Sequence, residues 1–388
     1  MPQPSSLDMA KKLVGFDTTS RNSNLALISF VADYLREIGV DSTVIHNDEG
    51  TKANLWATIG PADVPGVVLS GHTDVVPVDG QEWRTPPFEA AVDGDRLYGR
   101  GTSDMKSFIA VALAHAPAMA KADLKMPIHF AFSYDEEIGC LGVHGIVKHV
   151  GGISPLPRAV IVGEPTEMRV VNAHKGVFSF RTTVRGLEAH SSATHIGVNA
   201  IMYAAELIGF LSELARERRE ERPHNHHFDP PYTSVHVGTI RGGTALNIIP
   251  KECSFVWEYR LLPGEDDREI ISRFEEFAAS VVLPKMQAVS AQAAIVTEAR
   301  SRVAPLVAEA GSPAETLAML LAGTNKTGVV SFGTEGGIFQ EAGIPTVVCG
   351  PGSILQAHKP DEFIELSQIR ACEEFVARLT EYAAGQRI

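Results

Sequence analysis

The sequence predicts an α/β protein in which a smaller α+β domain is inserted into a domain built on a mostly parallel sheet. Over residues 1–176, short apolar runs alternate with helical patterns, which is typical of a parallel sheet covered on both faces. From 177 to 290 the strands alternate apolar and polar residues, which indicates one solvated sheet face. The β/α character returns over 291–388, and the length of 388 residues also favours two domains.

The elements of the first part follow one another along the chain. "LALISFVADYLREIG", from Leu25 to Gly39, has apolar residues at helical spacing and a terminal glycine. The apolar start of "GVVLSGHTDVVPV" predicts a buried strand, and "KSFIAVALAHAPAMAKA" predicts a helix. "MPIHFAFSY" and "PRAVIVGEPT" are further strands that end next to acids. Ligands of such sheets bind beyond the carboxyl ends of the strands, so these polar ends are candidate site positions.

The inserted part has its own order of elements. "VFSFRTTVRG" predicts a strand, and "GVNAIMYAAELIGFLSELARERR" predicts an amphipathic helix. Two alternating strands follow in "TSVHVGTIRGG" and "ECSFVWEYRLL", and "DREIISRFEEFAASV" is a second helix. This order predicts a ferredoxin-like α+β unit. A last helix is expected from Ile369 to Tyr382.

Composition and charge exclude several classes of protein. The net charge of −13 argues against nucleic acid or an anionic membrane as a partner, because both require clustered basic charge. The N-terminus lacks a basic-then-apolar signal pattern, and no stretch is apolar enough to span a bilayer. Four scattered cysteines predict reduced thiols rather than disulfides. We therefore expect a cytoplasmic protein that acts on a small molecule.

Acids and histidines placed after the predicted strands point to a metal site. His72 and Asp74 lie two apart, Asp104 lies in a glycine-flanked loop, and the other candidates are Glu136, Glu137, Glu164 and His358. Two Zn²⁺ ions carry a charge of +4, which three carboxylates and one hydroxide would balance. Imidazole nitrogens and carboxylate oxygens are both ligands that zinc accepts. Glu136, next to a ligand, is then left as a general base that takes a proton from water.

Each of these signals has an ordinary structural explanation. A lone histidine after a strand is usually a hydrogen-bonded polar residue, an aspartate in a glycine-rich loop is usually a turn or capping residue, and paired glutamates usually face solvent. Their conjunction at several strand ends favours the metal site. The cluster His224–His227 is predicted to be a surface loop, and Asp135 a turn or supporting residue. "GRGTSD" lacks the third glycine of a dinucleotide fingerprint, and "GTSDM" lacks the spacing of a serine hydrolase.

Six motifs resemble one known family and occur in its order over nearly the whole chain: "SGHTDVVPV", "GRGTSDMKS", "YDEEIG", "GEPT", "RGLEAHSS" and "AHKPDEF". The family is that of the dinuclear-zinc amidohydrolases, which includes acetylornithine deacetylases, succinyl-diaminopimelate desuccinylases, aminoacylases and glutamate carboxypeptidases. The resemblance implies a metallopeptidase-like catalytic domain formed by 1–176 and 291–388. It also implies a lid or dimerisation domain at 177–290, a homodimer through that domain, and two Zn²⁺ ions that Co²⁺ could replace.

The resemblance also implies a role for each motif residue. His72 and Glu164 would bind one metal, Glu137 and His358 the other, and Asp104 would bridge the two. Asp74 would orient His72, and Glu136 would be the general base. His190 would polarise the scissile carbonyl, with a polar residue at a helix N-terminus, capped by Ser191 or Ser192, as the structural alternative. Asn247 and Arg260 would hold the substrate carboxylate, and Glu335 would meet a distal ammonium; the outward face of an exposed strand is the alternative for Arg260.

Two stretches are most similar to the acetylornithine deacetylase branch: "GEPTEMRVVNAHKG" and "SFGTEGGIFQEAGIPTVVCGPGSILQAHKPDEF". This similarity implies hydrolysis of N2-acetyl-L-ornithine to L-ornithine and acetate, a step of arginine biosynthesis. Succinyl-diaminopimelate, another acyl amino acid or a small peptide are alternative substrates, and a non-catalytic binding or dimerisation protein with the same fold is the alternative class. "SSATHIGVNA" lacks the proline often found after the serines, and Ile196 stands near a position where the family has a basic residue.

Overall fold

The structure, a computed structural model, describes residues 4–220 and 224–386. The helices are α1 (Ser6–Val14), α2 (Leu25–Glu37), α3 (Lys106–Lys121), α4 (Val143–Val150), α5 (Ala200–Glu220), α6 (Glu269–Phe277), which continues through a π-helical turn (Ala278–Val282) into α7 (Leu283–Gln287), α8 (Pro313–Ala322), α9 (Gly336–Glu341) and α10 (Leu366–Ala383). The strands are β1 (Ser42–His46), β2 (Ala53–Ile59), β3 (Val67–His72), β4 (Ala91–Asp93), β5 (Arg96–Tyr98), β6 (Ile128–Ser133), β7 (Ala159–Pro165), β8 (Val170–His174), β9 (Gly176–Arg185), β10 (Ser234–Gly242), β11 (Glu252–Leu261), β12 (Ala294–Val303), β13 (Thr327–Val330), β14 (Thr346–Gly350) and β15 (Phe363–Glu365).

The larger of two compact units is built on a mixed eight-stranded sheet in the order β1-β2-β6-β3-β7-β14-β8-β13. Its four central strands, β6, β3, β7 and β14, run parallel, whereas β1 and β2 pair antiparallel at one edge. Every residue of the four central strands is buried. That is why these strands appear in the sequence as unbroken apolar runs rather than alternating ones. The predicted α/β class is confirmed.

Helix α3 lies against the centre of this sheet and is buried over most of its length. Its close approach depends on Gly163 in β7, because a Cβ added there would lie 2.1 Å from the ring of Phe108. Since real Cβ contacts are never that short, only glycine fits at this position. The N-terminus of α3, directly after Asp104, is thereby held beside the carboxyl ends of the central strands.

A small sheet in the same unit joins two loops that matter below. Strand β15 pairs antiparallel with β5, which in turn pairs with β4. The chain after β5 leads into the loop of Asp104, and the chain before β15 is the loop of His358. The pairing therefore places two predicted metal ligands, which are far apart in sequence, at the same edge of the unit.

The smaller unit comprises Lys175–Pro305 with Val330–Gly333. Its antiparallel sheet has the order β10-β11-β9-β12, and α5 and α6 pack on the side where β11 buries Phe255 and Trp257. The predicted order of strand, helix, two strands and helix is present. Strand β12 closes it, which completes the ferredoxin-like order. The predicted boundary at residue 290 therefore falls too early, because β12 pairs with β9 along Ala294–Val303.

None of the helices among the described residues is long and apolar enough to cross a lipid bilayer. The predicted cluster at His224–His227 lies in a loop, where His224 Nε2 is 2.8 Å from the carbonyl oxygen of Arg219. The four cysteines are free and buried.

His129, on β6, predicts how the stability of the larger unit depends on pH. Its ring stacks on Trp56 at 4.9 Å, and its Nδ1 lies 3.0 Å from Thr58 Oγ1. Burial lowers the pKa of His129 from 6.5 to about 4. Between those two pKa values the unfolded chain therefore binds more protons at His129 than the folded chain does. The contribution of the neutral His129 to the free energy of unfolding is fully present above pH 6.5 and is lost as the pH falls to about 4.

We expect His129→Gln to flatten the fall in melting temperature between pH 6.5 and pH 4. The shift corresponds to about 3 kcal/mol at the acid end of the window. Glutamine keeps a hydrogen-bonding group for Thr58 but does not titrate. The melting temperature is measured at several pH values beside His46→Gln, which changes an exposed imidazole on β1 and should keep the wild-type slope. A His129→Gln protein with the wild-type slope would refute the assignment.

Candidate metal centre

The predicted ligands lie at the carboxyl ends of the central strands or in loops beside them. His72 is the last residue of β3, and Glu164 lies near the end of β7. Glu137 follows β6, which ends at Ser133. Asp104 precedes α3, and His358 lies between β14 and β15. Ligands of open parallel sheets bind at this edge.

Asp104 is at the centre of the cluster because its two carboxylate oxygens face different partners. Its Oδ1 is 3.0 Å from His72 Nε2, which is also 3.7 Å from Glu164 Oε1. Its Oδ2 is 3.2 Å from His358 Nε2, which is also 3.0 Å from Glu137 Oε2. Ligand atoms around a tetrahedral zinc ion with bonds of about 2.1 Å lie about 3.4 Å apart, so these separations suit two adjacent metal positions that share Asp104.

Another grouping of the same side chains includes Glu136. One nitrogen or oxygen atom each of His72, Glu136 and Glu164 lie within 4.8 Å of one another, and so do atoms of His72, Asp104 and Glu137. We favour the grouping by the two histidines, because it uses both oxygens of Asp104. It also includes His358, whose Nε2 lies 3.2 Å from Asp104 Oδ2 and 3.0 Å from Glu137 Oε2. In that grouping Glu136 lies beside the metal positions without being needed as a ligand.

The site residues differ in exposure. The side chains of His72, Asp104, Glu137 and Glu164 are each at most 7% exposed, whereas that of His358 is 52% exposed. A metal held by these residues would be enclosed on the sheet side and reachable from the side of His358. Catalytic zinc sites keep such an open side for substrate, whereas structural zinc sites are closed.

The carboxylates carry more negative charge than the two imidazoles can balance. Burial raises the pKa of Glu136 to about 8 and that of Glu137 to about 7, and it raises the pKa of Glu164 as well. Burial alone would also raise the pKa of Asp104, but hydrogen bonds from His358 and His72 hold it well below its usual range. The hydrogen bonds that His358 donates to Asp104 and Glu137 raise the pKa of His358 to about 10. Buried charges of this kind require a cation nearby.

The donor set therefore fits two divalent cations. It offers two imidazole nitrogens and three carboxylates, a mixture that zinc accepts and that cobalt or manganese can also occupy. The His72 ring is already oriented, because its Nδ1 lies 2.9 Å from the carbonyl oxygen of Asp74, which leaves Nε2 for a metal.

Asp74 does more than the predicted orientation of His72. Its carboxylate oxygen is 3.6 Å from His72 Nδ1, farther than the carbonyl oxygen of the same residue. The carboxylate instead accepts the main-chain N–H groups of Glu136 at 3.0 Å and Glu137 at 3.3 Å. It also accepts the hydroxyl of Ser20 at 2.6 Å. Asp74 thus holds the turn that carries the predicted base and its neighbouring ligand.

The turn after β6 lets both glutamates enter one site. Adjacent strand residues point to opposite faces, so the strand must end before Glu136. The chain leaves the extended conformation at Asp135, whose φ is 56°, and Gly139 has a φ of 118°. Asp135 now has a structural role, because its carboxylate forms a part-buried ion pair with Lys52. Glu136 Oε1 accepts a hydrogen bond from Cys140 Sγ at 3.3 Å, which leaves Oε2 for a proton.

Glu335 is a buried acid next to β3. Its side chain is 1% exposed, and its Oε2 accepts the hydroxyl of Ser70 on β3 at 3.2 Å. Burial raises its pKa to about 7. The contact with a substrate ammonium stays a prediction, and the carboxylate that would make it is enclosed rather than exposed to solvent. It belongs to the interior beneath the strand that carries His72.

The remaining predicted residues belong to the smaller unit. His190 is exposed, its Nδ1 is 2.7 Å from Ser192 Oγ, and the main-chain N–H of Ser192 donates to the same nitrogen at 3.3 Å. The alternative of a helix N-terminus at His190 is wrong, because α5 begins at Ala200. Asn247 lies beside this segment, since the N–H of Ser191 donates to its carbonyl oxygen at 3.0 Å. Arg260 lies on the less buried face of β11 and binds Glu258 at 2.9 Å.

Three residues that contact the site have no signal in sequence patterns. Arg100 and Glu362 form an ion pair in which both side chains are 1% exposed, and Cys140 donates to Glu136. Arginine and glutamate are normally surface residues, and a single cysteine after a glycine suggests nothing specific. The six motifs do contain Arg100 and Glu362, but only the folded chain brings them together.

Comparisons with known proteins indicate the family and the fold of the chain. Residues 68–382 match peptidase family M20/M25/M40. The acetylornithine deacetylase of Myxococcus xanthus is 35% identical over 97% of both chains, and that of Pasteurella multocida is 31% identical over 97% of both. Among solved structures, the M20 family metallo-carboxypeptidase Sso-CP2 of Sulfolobus solfataricus has a TM-score of 0.77 at 18% identity, with 98% of this chain and 99% of that chain covered. The dinuclear metal-binding peptidase YXEP of Bacillus subtilis has a TM-score of 0.67 at 16% identity, with 98% of both chains covered. At such identities the two structures show a shared fold.

The shared carboxylate of Asp104 leads to a prediction about metal content. Asp104→Asn replaces one oxygen by an amide nitrogen, which is not a zinc ligand, and removes one negative charge. We expect wild-type protein to bind two Zn²⁺ per chain, and the variant to bind one equivalent at least about tenfold more weakly. Equilibrium dialysis against limiting Zn²⁺, followed by elemental analysis, measures this.

Asp135→Asn is the matched control for that experiment. It removes an acid from the same edge of the sheet, but one that binds Lys52 rather than facing the histidines. The control should keep two tightly bound equivalents. Two tight equivalents in Asp104→Asn would contradict the bridging position.

Proposed function

The chain belongs to peptidase family M20/M25/M40 and is a metal-dependent amidohydrolase of N-acyl amino acids, and we propose that its substrate is N2-acetyl-L-ornithine. The products would be L-ornithine and acetate, and the reaction would serve arginine biosynthesis. The observation that carries the catalytic proposal is Asp104, which faces one imidazole–carboxylate pair with each oxygen, while Glu136 lies beside His72 and Glu164. The substrate proposal is supported by the acetylornithine deacetylases that match nearly the whole chain.

Two divalent cations, which we propose to be Zn²⁺, supply Lewis-acid polarisation of the amide carbonyl and make water at the site more acidic. His72 and Glu164 would hold one ion, Glu137 and His358 the other, and Asp104 both. Glu136 accepts the proton of the attacking water at Oε2, since Cys140 occupies Oε1. It then delivers that proton to the nitrogen of the leaving amine. The hydrogen bond that the main-chain N–H of Glu136 donates to the Asp74 carboxylate keeps the residue in place during both transfers.

His190 is suited to donate a hydrogen bond to the developing oxyanion. The Ser192 N–H donates to Nδ1, so Nδ1 is the acceptor of the neutral ring, and the proton lies on Nε2. An Nε2–H group of an exposed imidazole can donate to, and so stabilise, negative charge on a carbonyl oxygen. Asn247 and Arg260 complete the proposal as groups that bind the substrate carboxylate.

Further proposals concern the state of the protein in the cell. Four free, buried cysteines support a cytoplasmic location, because thiols stay reduced there. A homodimer through the smaller unit is supported by the family resemblance and by strand β10. This strand forms one edge of the small sheet, and Ile240 on it is 51% exposed. An uncovered edge strand is a surface to which another chain can pair.

A substrate panel tests the proposed function. We expect the highest kcat/KM for N2-acetyl-L-ornithine, beside N-succinyl-diaminopimelate, N-acetyl-L-methionine and a dipeptide, and activity that a chelator abolishes. Glu136→Gln should lower kcat by about 10²- to 10⁴-fold, because it removes the general base. Its zinc content should stay at the wild-type value.

Asp135→Asn again serves as control and should keep most of the activity, since this neighbouring acid takes no part in proton transfer. A higher kcat/KM for another compound of the panel would reassign the substrate within the family. A folded, metal-loaded Glu136→Gln protein that turns over at the wild-type rate would refute the mechanism. Absence of metal and of hydrolysis for every compound would favour the non-catalytic alternative.

The proposed role of His190 predicts a separate kinetic signature. His190→Ala should lower kcat by about 10²- to 10³-fold with little change in KM, because the hydrogen bond acts mainly in the transition state. Steady-state kinetics measure both constants. His195→Ala, which removes a nearby exposed imidazole, should leave both near wild type. A rise in KM at unchanged kcat for His190→Ala would instead assign it to ground-state binding.

A further inference from the structure

Beneath the metal centre, Arg100 and Glu362 form a buried ion pair. Each side chain is 1% exposed, and Arg100 Nη1 is 2.7 Å from Glu362 Oε2. A fully buried pair costs desolvation energy on both sides, so it is weak evidence for a role in stability alone. The other hydrogen-bond partners of the two side chains therefore indicate the role of the buried pair.

The carboxylate of Glu362 binds the main chain of the loop that carries Asp104. Its Oε2 also accepts the N–H of Gly101 at 3.1 Å. Its Oε1 accepts the N–H groups of Ser103 at 2.9 Å and of Asp104 itself at 3.1 Å. Both oxygens thus have two donors each. Every one of these bonds requires the carboxylate to accept, so the loop is fixed on one ionised group.

The guanidinium of Arg100 binds the loop that carries His358. Its Nη1 also donates to the carbonyl oxygen of Lys359 at 3.3 Å. Its Nη2 donates to Gln81 Oε1 at 2.7 Å, and Gln81 Nε2 donates to the carbonyl oxygen of His358 at 3.0 Å. The planar fork of arginine can serve Glu362 and Gln81 at the same time, which the single ammonium of lysine cannot do.

The ligands differ in what holds them. His72 and Glu164 belong to β3 and β7, whose ladder hydrogen bonds fix them to the sheet. Asp104 and His358 lie in loops, and His358 has a φ of 64°, in the left-handed region that non-glycine residues seldom adopt. The ion pair is bonded to both of these loops, whereas the strand-borne ligands are held independently of it.

We propose that Arg100 and Glu362 are a positioning pair that sets Asp104 and His358 at the spacing of one metal site, that of Glu137 and His358. The pair acts through the main chain of both loops and touches neither substrate nor metal. The inference rests on the proposed metal-dependent function and assigns part of its metal affinity to residues outside the ligand set.

The test is a metal titration of the full-length protein after chelator treatment, with Zn²⁺ competed against a chromogenic chelator and with Co²⁺ followed by its absorption. In Glu362→Gln we expect one equivalent to weaken by about 10- to 100-fold, the range for lost outer partners of metal ligands, and the other to change much less. Arg100→Lys should weaken the same equivalent. Gln81→Leu should weaken it to a smaller extent, because this change leaves the bonds from Glu362 to the Asp104 loop in place.

The variant His358→Gln identifies which metal equivalent is weakened. If His358 and Glu362 act on the same metal site, the double variant should bind that equivalent only slightly more weakly than His358→Gln alone. Excess Zn²⁺ should restore much of the activity of Glu362→Gln at unchanged KM, which a generally damaged fold would not show. If Glu362→Gln yields no folded protein, Arg100→Lys and Gln81→Leu test the same link.

The matched control is Arg218→Lys in the smaller unit. Arg218 is 2% exposed and paired with the half-buried Glu265 and Glu269, so the change perturbs a buried, ion-paired arginine away from any metal ligand. Both equivalents should keep their affinity in this control. Equal weakening of both equivalents in Glu362→Gln, no weakening, or the same loss in Arg218→Lys would overturn the inference. A wild-type protein that binds no metal would instead refute the proposed function, so the two failures are distinct.

Discussion

The site depends on one electrostatic constraint: three carboxylates and the carboxylic base beside them are buried within a few ångströms of each other. Asp104 lies at the centre of this cluster, since its two oxygens lie 3.0 Å and 3.2 Å from the nitrogens of different imidazoles. Burial raises the pKa of Glu136 and of Glu137, and repulsion by the neighbouring acids adds to the shift. Two cations would relieve the repulsion, so the crowding that is unfavourable without a cation also favours binding of divalent metal.

Much of the fold and site could be predicted from the sequence, for identifiable reasons. The central strands are buried on both faces and appear as apolar runs, so the polar residues that follow them, such as His72 and Glu164, stand out. The sequence wrongly places strand β12 in the larger domain. Its sequence, AIVTEARSRV, is half polar, and its partner β9 lies over a hundred residues earlier. Pairing over such distances leaves no local pattern.

The roles of Glu335 and Glu362 show a second limit to prediction from the sequence. Both are acids within recognisable motifs, and a motif alone suggests that an acid binds metal or substrate. In the folded chain Glu335 binds Ser70 in the interior, and Glu362 binds main-chain amides. Burial decides between these roles, and burial of a charged residue depends on tertiary partners that the local sequence does not name.

Asp74 and Glu362 each fix a loop of the site, and they do so in the same way. Each is a buried carboxylate that accepts main-chain N–H groups from a loop bearing a site residue. The loop of His358 contains two non-glycine residues with positive φ, His358 and Asp361, each costing about 1 kcal/mol or more. Hydrogen bonds to a charged group contribute about 1.5–3 kcal/mol each, and Glu362 accepts four. These bonds tie the segment that contains His358 and Asp361 to the loop of Asp104, which is how tertiary hydrogen bonds keep a strained loop in place beside the strand ends.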